Sequence, residues 1–112
     1  MNQKARIIVA AESGISIRSL GDIADAVVAC FGKAGIILTE RDLAPDFFDL
    51  RTGLAGELFQ KFINYEVRAA IVLPDPEDYG ERFGELAYEH SSHQIIRFVR
   101  SEEEARSWLS AI

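Results

Sequence analysis

Residues 35–39 read Gly35-Ile36-Ile37-Leu38-Thr39, and this stretch decides the fold. The run is apolar without alternation, which is typical of a strand that is buried on both faces of a parallel sheet. A second run of this kind covers residues 67–73, and a third covers residues 94–99. Because a helical pattern separates each run from the next, we expect these three strands to be parallel.

Helical patterns fill the segments between these runs. The first follows Ser19, a helix-capping residue, and the second runs from about Thr52 to Tyr65. Two more are predicted for residues 81–89 and after a capping box that begins at Ser101. The apolar residues that we expect to face inward are Ile23, Val27 and Phe31; Leu54, Leu58, Phe62 and Tyr65; Phe83, Leu86 and Ala87; and Ala105, Trp108, Leu109 and Ile112.

The N-terminal part of the chain predicts a β-hairpin. Arg6 to Ala11 is an apolar run, Glu12-Ser13-Gly14 is a turn signal, and Ile15-Ser16-Ile17 resumes an alternating pattern. The complete prediction is an α/β fold in a single domain over residues 1–112. It has a mixed, mostly parallel sheet of about five strands with flanking helices, in the order β-β-α-β-α-β-α-β-α.

Composition narrows the class of partner. The 12 Lys and Arg residues are scattered and are outnumbered by 18 Asp and Glu, for a net charge of −6. Because binding to a phosphate backbone needs clustered basic residues, we expect no nucleic-acid partner. No apolar stretch reaches the roughly 20 residues that span a bilayer, and none resembles a signal peptide. With Cys30 as the single cysteine, the sequence predicts a cytoplasmic protein without disulfides or a membrane partner.

Residues 45–61 hold the densest mixture of aromatic and charged side chains. Pro45 suits the first position of a short helical turn, and the helix that follows begins near the carboxyl end of a strand, where parallel sheets bind ligands. There Arg51 and free backbone N–H groups are suited to hold an anion. The alternative is that Asp49 or Thr52 merely caps the helix above packed phenylalanines. The predicted binding surface comprises Phe47, Phe48, Asp49, Arg51, Thr52, Glu57 and Lys61.

Two glycines interrupt the start of this helix. Gly53 and Gly56 each cost roughly 1 kcal/mol against alanine in a helix. They indicate either the close approach of a ligand or partner, or tight packing of the helix on the sheet. Glu57 and Lys61 are spaced for an ion pair on the outer side of the helix.

The sequence offers little for catalysis or metal binding. His90 and His93 are spaced to share a metal, but two ligands make a poor site and no third lies nearby in sequence. No Ser, Cys or Thr lies in a nucleophile elbow. The carboxylates of residues 75–78 are typical of a solvated loop. We therefore predict no metal site, no cofactor and no catalytic residue.

Over nearly its whole length the chain resembles an uncharacterised prokaryotic family, the domain of unknown function 4180. The resemblance implies a compact α/β domain from a bacterial source and supplies no activity. The motifs that carry it are Pro45-Asp46-Phe47-Phe48-Asp49-Leu50, Arg51-Thr52-Gly53-Leu54-Ala55-Gly56-Glu57, Gln60-Lys61-Phe62, Asn64-Tyr65, Ala70-Ile71-Val72, Tyr88-Glu89, Glu104-Ala105 and Trp108-Leu109.

A weaker likeness is to the STAS domains of anti-sigma-factor antagonists. Their order of elements is similar, and a phosphorylatable Ser or Thr precedes a Gly at the start of a central helix. This likeness implies that Thr52, which precedes Gly53, is a phospho-acceptor and that Asp49 is the acidic residue beside it.

Three functional hypotheses follow. The first is a non-enzymatic regulatory or protein-binding module that acts through residues 45–61. The second is a small-molecule or anion binder, or an enzyme, with a pocket at the same edge formed by Glu40, Asp42, Asp49 and Arg51. The third is a structural homo-oligomer that buries Phe47, Phe48 and the outer helix face against a second copy.

Overall fold

The computed structural model describes residues 6–111. Within these residues four strands form one sheet: β1 (Ile7–Val9), β2 (Gly35–Thr39), β3 (Ala69–Val72) and β4 (Ile96–Val99). Their order is β1-β2-β3-β4, and each neighbouring pair is parallel. The helices are α1 (Ala10–Ser13), α2 (Leu20–Ala29), α3 (Pro45–Phe48), α4 (Leu54–Asn64), α5 (Glu81–Glu89) and α6 (Glu102–Ser110), with short 3-10 turns at Glu40–Asp42, Leu50–Thr52 and Pro76–Tyr79.

The sheet is covered on both faces, and this arrangement explains its unbroken apolar runs. Because the strand order is sequential and crossovers are right-handed, α2, α4 and α5 pack on the same face. Within residues 6–111 the opposite face is covered by helix α6, with Ala105 and Leu109 buried and Trp108 partly buried against the sheet. The strand residues in the three-helix core are Ile36, Leu38, Ala69, Ile71, Ile96 and Phe98, and those beneath α6 are Ile37, Ala70, Val72 and Val99.

The predicted hairpin and the fifth strand are wrong. After β1 the chain enters the single helical turn α1, which ends at Gly14 in a left-handed conformation (φ 67°). Ile17 is fully buried but forms only an isolated parallel bridge, since its N–H donates to Asp42 and its carbonyl accepts from Ala44. The alternating pattern at residues 15–17 therefore reflects a single buried residue, Ile17, close to the end of β2. Within residues 6–111 the sheet is purely parallel.

Two predicted core aromatics lie on the surface instead. Phe31 and Tyr65 are 54% and 57% exposed because α2 ends at Ala29 and α4 ends at Asn64, so the helical spacing no longer applies to them. The predicted inward position of Ile112 lies outside the described residues. The predicted helix over residues 81–89 is confirmed.

The helix caps predicted from sequence are present. The Ser19 hydroxyl accepts a hydrogen bond from the Asp22 N–H, and the Ser101 hydroxyl accepts one from the Glu104 N–H. The reciprocal bond of the predicted box is displaced by one residue, because the Glu104 carboxylate accepts from the Arg100 N–H. No helix in residues 6–111 combines the length and the apolar composition needed to cross a membrane.

Candidate functional site at the strand-end corner

The corner, as we name residues 45–52, lies between the carboxyl end of β2 and the start of α4. Its two phenylalanines anchor it. Phe47 is fully buried in the three-helix core. Phe48 is half-buried and stacks on Tyr79, with ring centroids 3.8 Å apart and planes inclined by 11°. Both phenylalanines also contact Phe83, so the corner is fastened to the start of α5.

The Thr52 hydroxyl fastens the other end of the corner. Its Oγ1 atom lies 2.6 Å from the Asp46 carbonyl oxygen and 2.9 Å from the Asp49 carbonyl oxygen, so the hydroxyl donates within the corner. The same oxygen accepts from the Leu54 N–H at 3.3 Å, at the start of α4. Thr52 therefore closes the corner against the first N–H group of α4, whereas the N-cap position itself is Gly53, which has no side-chain cap.

Asp49 and Arg51 form a bidentate ion pair. The Arg51 Nε and Nη2 atoms each donate to one Asp49 carboxylate oxygen at 3.0 Å, and the Arg51 backbone N–H donates at 3.1 Å. These bonds lower the pKa of Asp49 and raise that of Arg51, with the side-chain hydrogen bond as the main cause of each shift. The Arg51 side chain is 90% exposed, so this ion pair orients the guanidinium group at the protein surface.

Tyr79 joins the corner to the loop that follows β2. Its hydroxyl donates a hydrogen bond to the Glu40 carboxylate. Burial of the phenol, with this bond and the nearby charges of Glu40 and Asp78, raises the pKa of Tyr79 to about 12. The sequence analysis missed Tyr79, since the 3-10 turn that carries it resembles a solvated acidic loop.

The four residues that were predicted to form a small-molecule pocket are instead engaged in hydrogen bonds within the chain. Asp42 is buried and accepts hydrogen bonds from the Thr39 N–H at 2.8 Å and the Thr39 hydroxyl at 3.1 Å. Glu40 is engaged by Tyr79, whereas Asp49 is engaged by Arg51. Each carboxylate therefore already has a hydrogen-bond partner within the chain.

The remaining predicted site residues lie along α4. Glu57 is partly buried and Lys61 is exposed, and the ion pairs of residues 6–111 do not include the predicted one between them. Gly53 has φ 80° and ends the 3-10 turn before α4. A Cβ atom added at Gly53 or Gly56 would meet no atom within 4 Å, so tight packing of the helix on the sheet is not the reason for either glycine.

A groove of about 680 Å³ runs beside the corner, and we call it the corner groove. The rings of Phe48, Tyr79 and Phe83 line it, and its rim carries Leu50, Arg51 and Arg82. Leu50 is 36% exposed, although leucine is a residue that folding normally buries. The groove therefore combines an apolar floor with two guanidinium groups, and the carboxylates of Asp49 and Glu81 also line it.

A second groove of about 620 Å³ lies on the other side of α5, and we call it the acidic groove. Leu73, Ala87 and Phe98 line its apolar part, and Tyr88, which is 81% exposed, stands beside it. Its carboxylates are Glu77, Glu81, Glu85 and Glu89. Glu77, predicted to belong to a merely solvated loop, thus lies in a row of four acidic side chains.

The two histidines have structural partners. His93 Nδ1 accepts from the backbone N–H groups of Ile95 and Ile96, at 3.0 and 3.1 Å, and covers the amino end of the edge strand β4. Burial, together with the charges of His90 and Arg97, lowers the pKa of His93. Within residues 6–111 no cluster of three or more His, Cys, Asp or Glu side chains is placed to hold a metal.

The fold and the corner define a small α/β domain with a four-stranded parallel sheet in the described residues and an aromatic surface at its strand ends. The family described as Domain of unknown function (DUF4180) matches residues 2–109, and the chain belongs to this family. No curated protein and no solved structure matches the chain.

Proposed function

We propose that this chain is a non-enzymatic, cytoplasmic protein-binding module that binds its partner in the corner groove. The observation that carries the proposal is the half-buried aromatic ledge of Phe48 and Tyr79 with Leu50 and Arg51 at its rim. Aromatic and arginine side chains supply much of the binding energy at protein interfaces. Because the ledge is fixed by stacking and hydrogen bonds, little conformational entropy is lost when a partner binds.

The chemistry of the groove favours a partner segment with an apolar side chain beside a carboxylate. The apolar side chain would rest on the Phe48 and Tyr79 rings. Among residues 6–111, Arg82 forms no ion pair, and α5 begins at Glu81 without a side-chain cap. A guanidinium and the N-terminal end of a helix both favour an anionic group.

In this proposal Thr52 regulates the groove. Phosphorylation would replace the hydrogen that the hydroxyl donates to the Asp46 and Asp49 carbonyls, and it would place a dianion beside these oxygens. The guanidinium of Arg51, the residue before Thr52, is already engaged by Asp49. The modification would therefore loosen the corner and weaken partner binding.

A photocrosslinking experiment in cells tests the assignment. Benzoylphenylalanine is placed at Leu50 on the rim, at Tyr88 beside the acidic groove, and at Glu12 on the exposed surface of α1. We expect one protein to be captured from position 50 and not from positions 12 or 88. The purified partner must then bind the wild-type chain and bind the Leu50→Asp variant more weakly.

The other outcomes of this experiment overturn the assignment. Capture from position 88 alone would move the site to the acidic groove and would favour a basic partner. Capture of the chain by itself at position 50 would replace the partner with a second copy. Equal capture from all three positions, or none from any, would contradict the proposed binding function.

A further inference from the structure

The exposed apolar side chains are unevenly distributed. Seven large ones are exposed within residues 6–111, and two of these, Leu50 and Tyr88, belong to the grooves already described. The other five lie on α2, just after its end, or at the end of α4. They are Leu20 (61% exposed), Val28 (64%), Phe31 (54%), Ile63 (40%) and Tyr65 (57%).

Four residues of the α2 segment form one outward stripe. Leu20, Ala24 and Val28 are spaced i, i+4 and i+8, so they share one side of α2, and Phe31 follows two residues after the end of the helix. Each of them is exposed, while the opposite side of α2 is buried on the sheet. The Phe31 ring lies 6.1 Å from the Tyr65 ring, centroid to centroid, and this contact continues the stripe onto the end of α4. We call this surface the α2 face.

The α2 face is large for a surface that faces only water. Its large side chains expose on the order of 500 Å² of apolar area, near the upper end for the largest patch on a monomer. A standard protein interface buries about 800 Å² on each partner. Two such faces would together bury on the order of 1,000 Å², which is the lower limit for a specific protein interface, so the α2 face is sufficient for a weak dimer.

We propose that the α2 face binds a second copy of this chain about a twofold axis. The stripe is complementary to itself when two α2 helices pair in antiparallel orientation. Leu20 of one chain then lies opposite Phe31 of the other, and Ala24 lies opposite Val28, so a small residue faces a larger one at the centre. Such self-complementarity is what an isologous interface requires.

The stripe carries no charged side chain, so close contact along it buries no unpaired ion. Asp22, in the first turn of α2, is already paired with Arg18 at 3.5 Å. The apolar side chains, and not the charges, therefore determine how two such faces would pack.

Sedimentation velocity over micromolar to submillimolar concentrations tests the proposal. We expect the wild-type protein to rise toward twice the mass of one chain as concentration increases. Val28→Asp should remain monomeric, and Tyr88→Asp, which changes an exposed residue of α5 outside the α2 face, should associate like the wild type. Circular dichroism of each variant checks that the fold is retained. A wild-type monomer at every concentration, or association unaffected by Val28→Asp, would overturn the proposal.

Crosslinking reports the orientation independently of any change in stability. Ala24→Cys places a thiol near the proposed axis, and Ala11→Cys places one on exposed α1 as a matched control. Cys30 is buried and does not compete. We expect a short bismaleimide to link the Ala24→Cys chains at least tenfold faster than the Ala11→Cys chains. Equal rates would place the contact elsewhere.

Discussion

The Tyr79 hydroxyl donates a hydrogen bond to the Glu40 carboxylate across 39 residues of sequence. This bond joins the loop after β2 to the loop after β3, at the edge where both strands end. The Tyr79 ring is also stacked on Phe48. The aromatic ledge of the corner groove is therefore held by a polar contact on one side and an aromatic contact on the other.

Removing the hydroxyl should weaken the ledge without removing the ring. Tyr79→Phe should lower the free energy of unfolding by about 1 kcal/mol, because it breaks the bond to Glu40 and preserves the stack. Urea denaturation followed by circular dichroism measures the change. The matched control is Tyr88→Phe, which alters a ring that is 81% exposed. Equal stability of the two variants would contradict a stabilising bond between Tyr79 and Glu40.

The structural role of Thr52 predicts a clear order among its variants. Thr52→Val retains the branched shape but loses the bonds to the Asp46 and Asp49 carbonyls and to the Leu54 N–H. We expect it to cost about 1–2 kcal/mol of unfolding free energy, because these hydrogen bonds are lost together. Thr52→Ser retains the oxygen and should cost less than about 0.5 kcal/mol. If Val and Ser variants unfold at the same urea concentration, the hydroxyl does not hold the corner.

Two glycines of contrasting surroundings give opposite predictions. At Gly35, φ is 154°, and an added Cβ would lie 2.7 Å from both the Arg68 carbonyl oxygen and Leu109 Cδ2. Gly35→Ala should therefore cost more than about 3 kcal/mol or prevent folding. Gly56 lies within α4 with open space around it, so Gly56→Ala should stabilise the protein by about 0.5–1 kcal/mol. Thermal denaturation of both variants checks the contrast, and a destabilised Gly56→Ala would show that α4 needs a glycine there.

His93 should make stability depend on pH in the acid range. Its folded-state pKa is lowered, chiefly by burial, so the unfolded chain binds the proton more readily. His93 therefore contributes to the free energy of unfolding above its unfolded-state pKa of about 6.5, and this contribution is lost as the pH falls through the folded-state pKa. His93→Asn retains an acceptor for the Ile95 and Ile96 N–H groups without titrating.

The measurement is the difference in unfolding free energy between wild type and His93→Asn from about pH 8 to about pH 5. We expect the wild type to lose stability relative to His93→Asn as the pH falls. His93→Ala, which lacks an acceptor, should be less stable than His93→Asn throughout. A constant difference between wild type and His93→Asn would show that the His93 pKa is the same in both states.

Local patterns in the sequence predicted those parts of the structure that local physics determines. The continuous apolar runs at β2, β3 and β4 mark strands covered on both faces, and Ser19 and Ser101 mark helix starts. The position of Pro45 at the first turn of α3 was predicted in the same way. In each case the deciding property belongs to the segment itself: the unbroken apolar run, the capping hydroxyl or the fixed backbone angle of proline.

The errors arose where the determining contact is distant. Ile17 is buried by a bridge to Leu43, which an alternating pattern cannot distinguish from a hairpin strand. The exposure of Phe31 and Tyr65 depends on where α2 and α4 end. Tyr79 joins the corner through a residue 39 positions away, so nothing in its own segment marked it.

The affinity of a captured partner for variants of the two grooves tests the central claim most directly. Isothermal titration calorimetry would compare the wild type with Leu50→Asp in the corner groove and Tyr88→Asp beside the acidic groove. We predict that Leu50→Asp raises the dissociation constant at least tenfold and that Tyr88→Asp changes it less than about twofold, as expected for a residue outside the interface. Equal affinity of all three proteins, or a loss confined to Tyr88→Asp, would contradict binding at the corner groove.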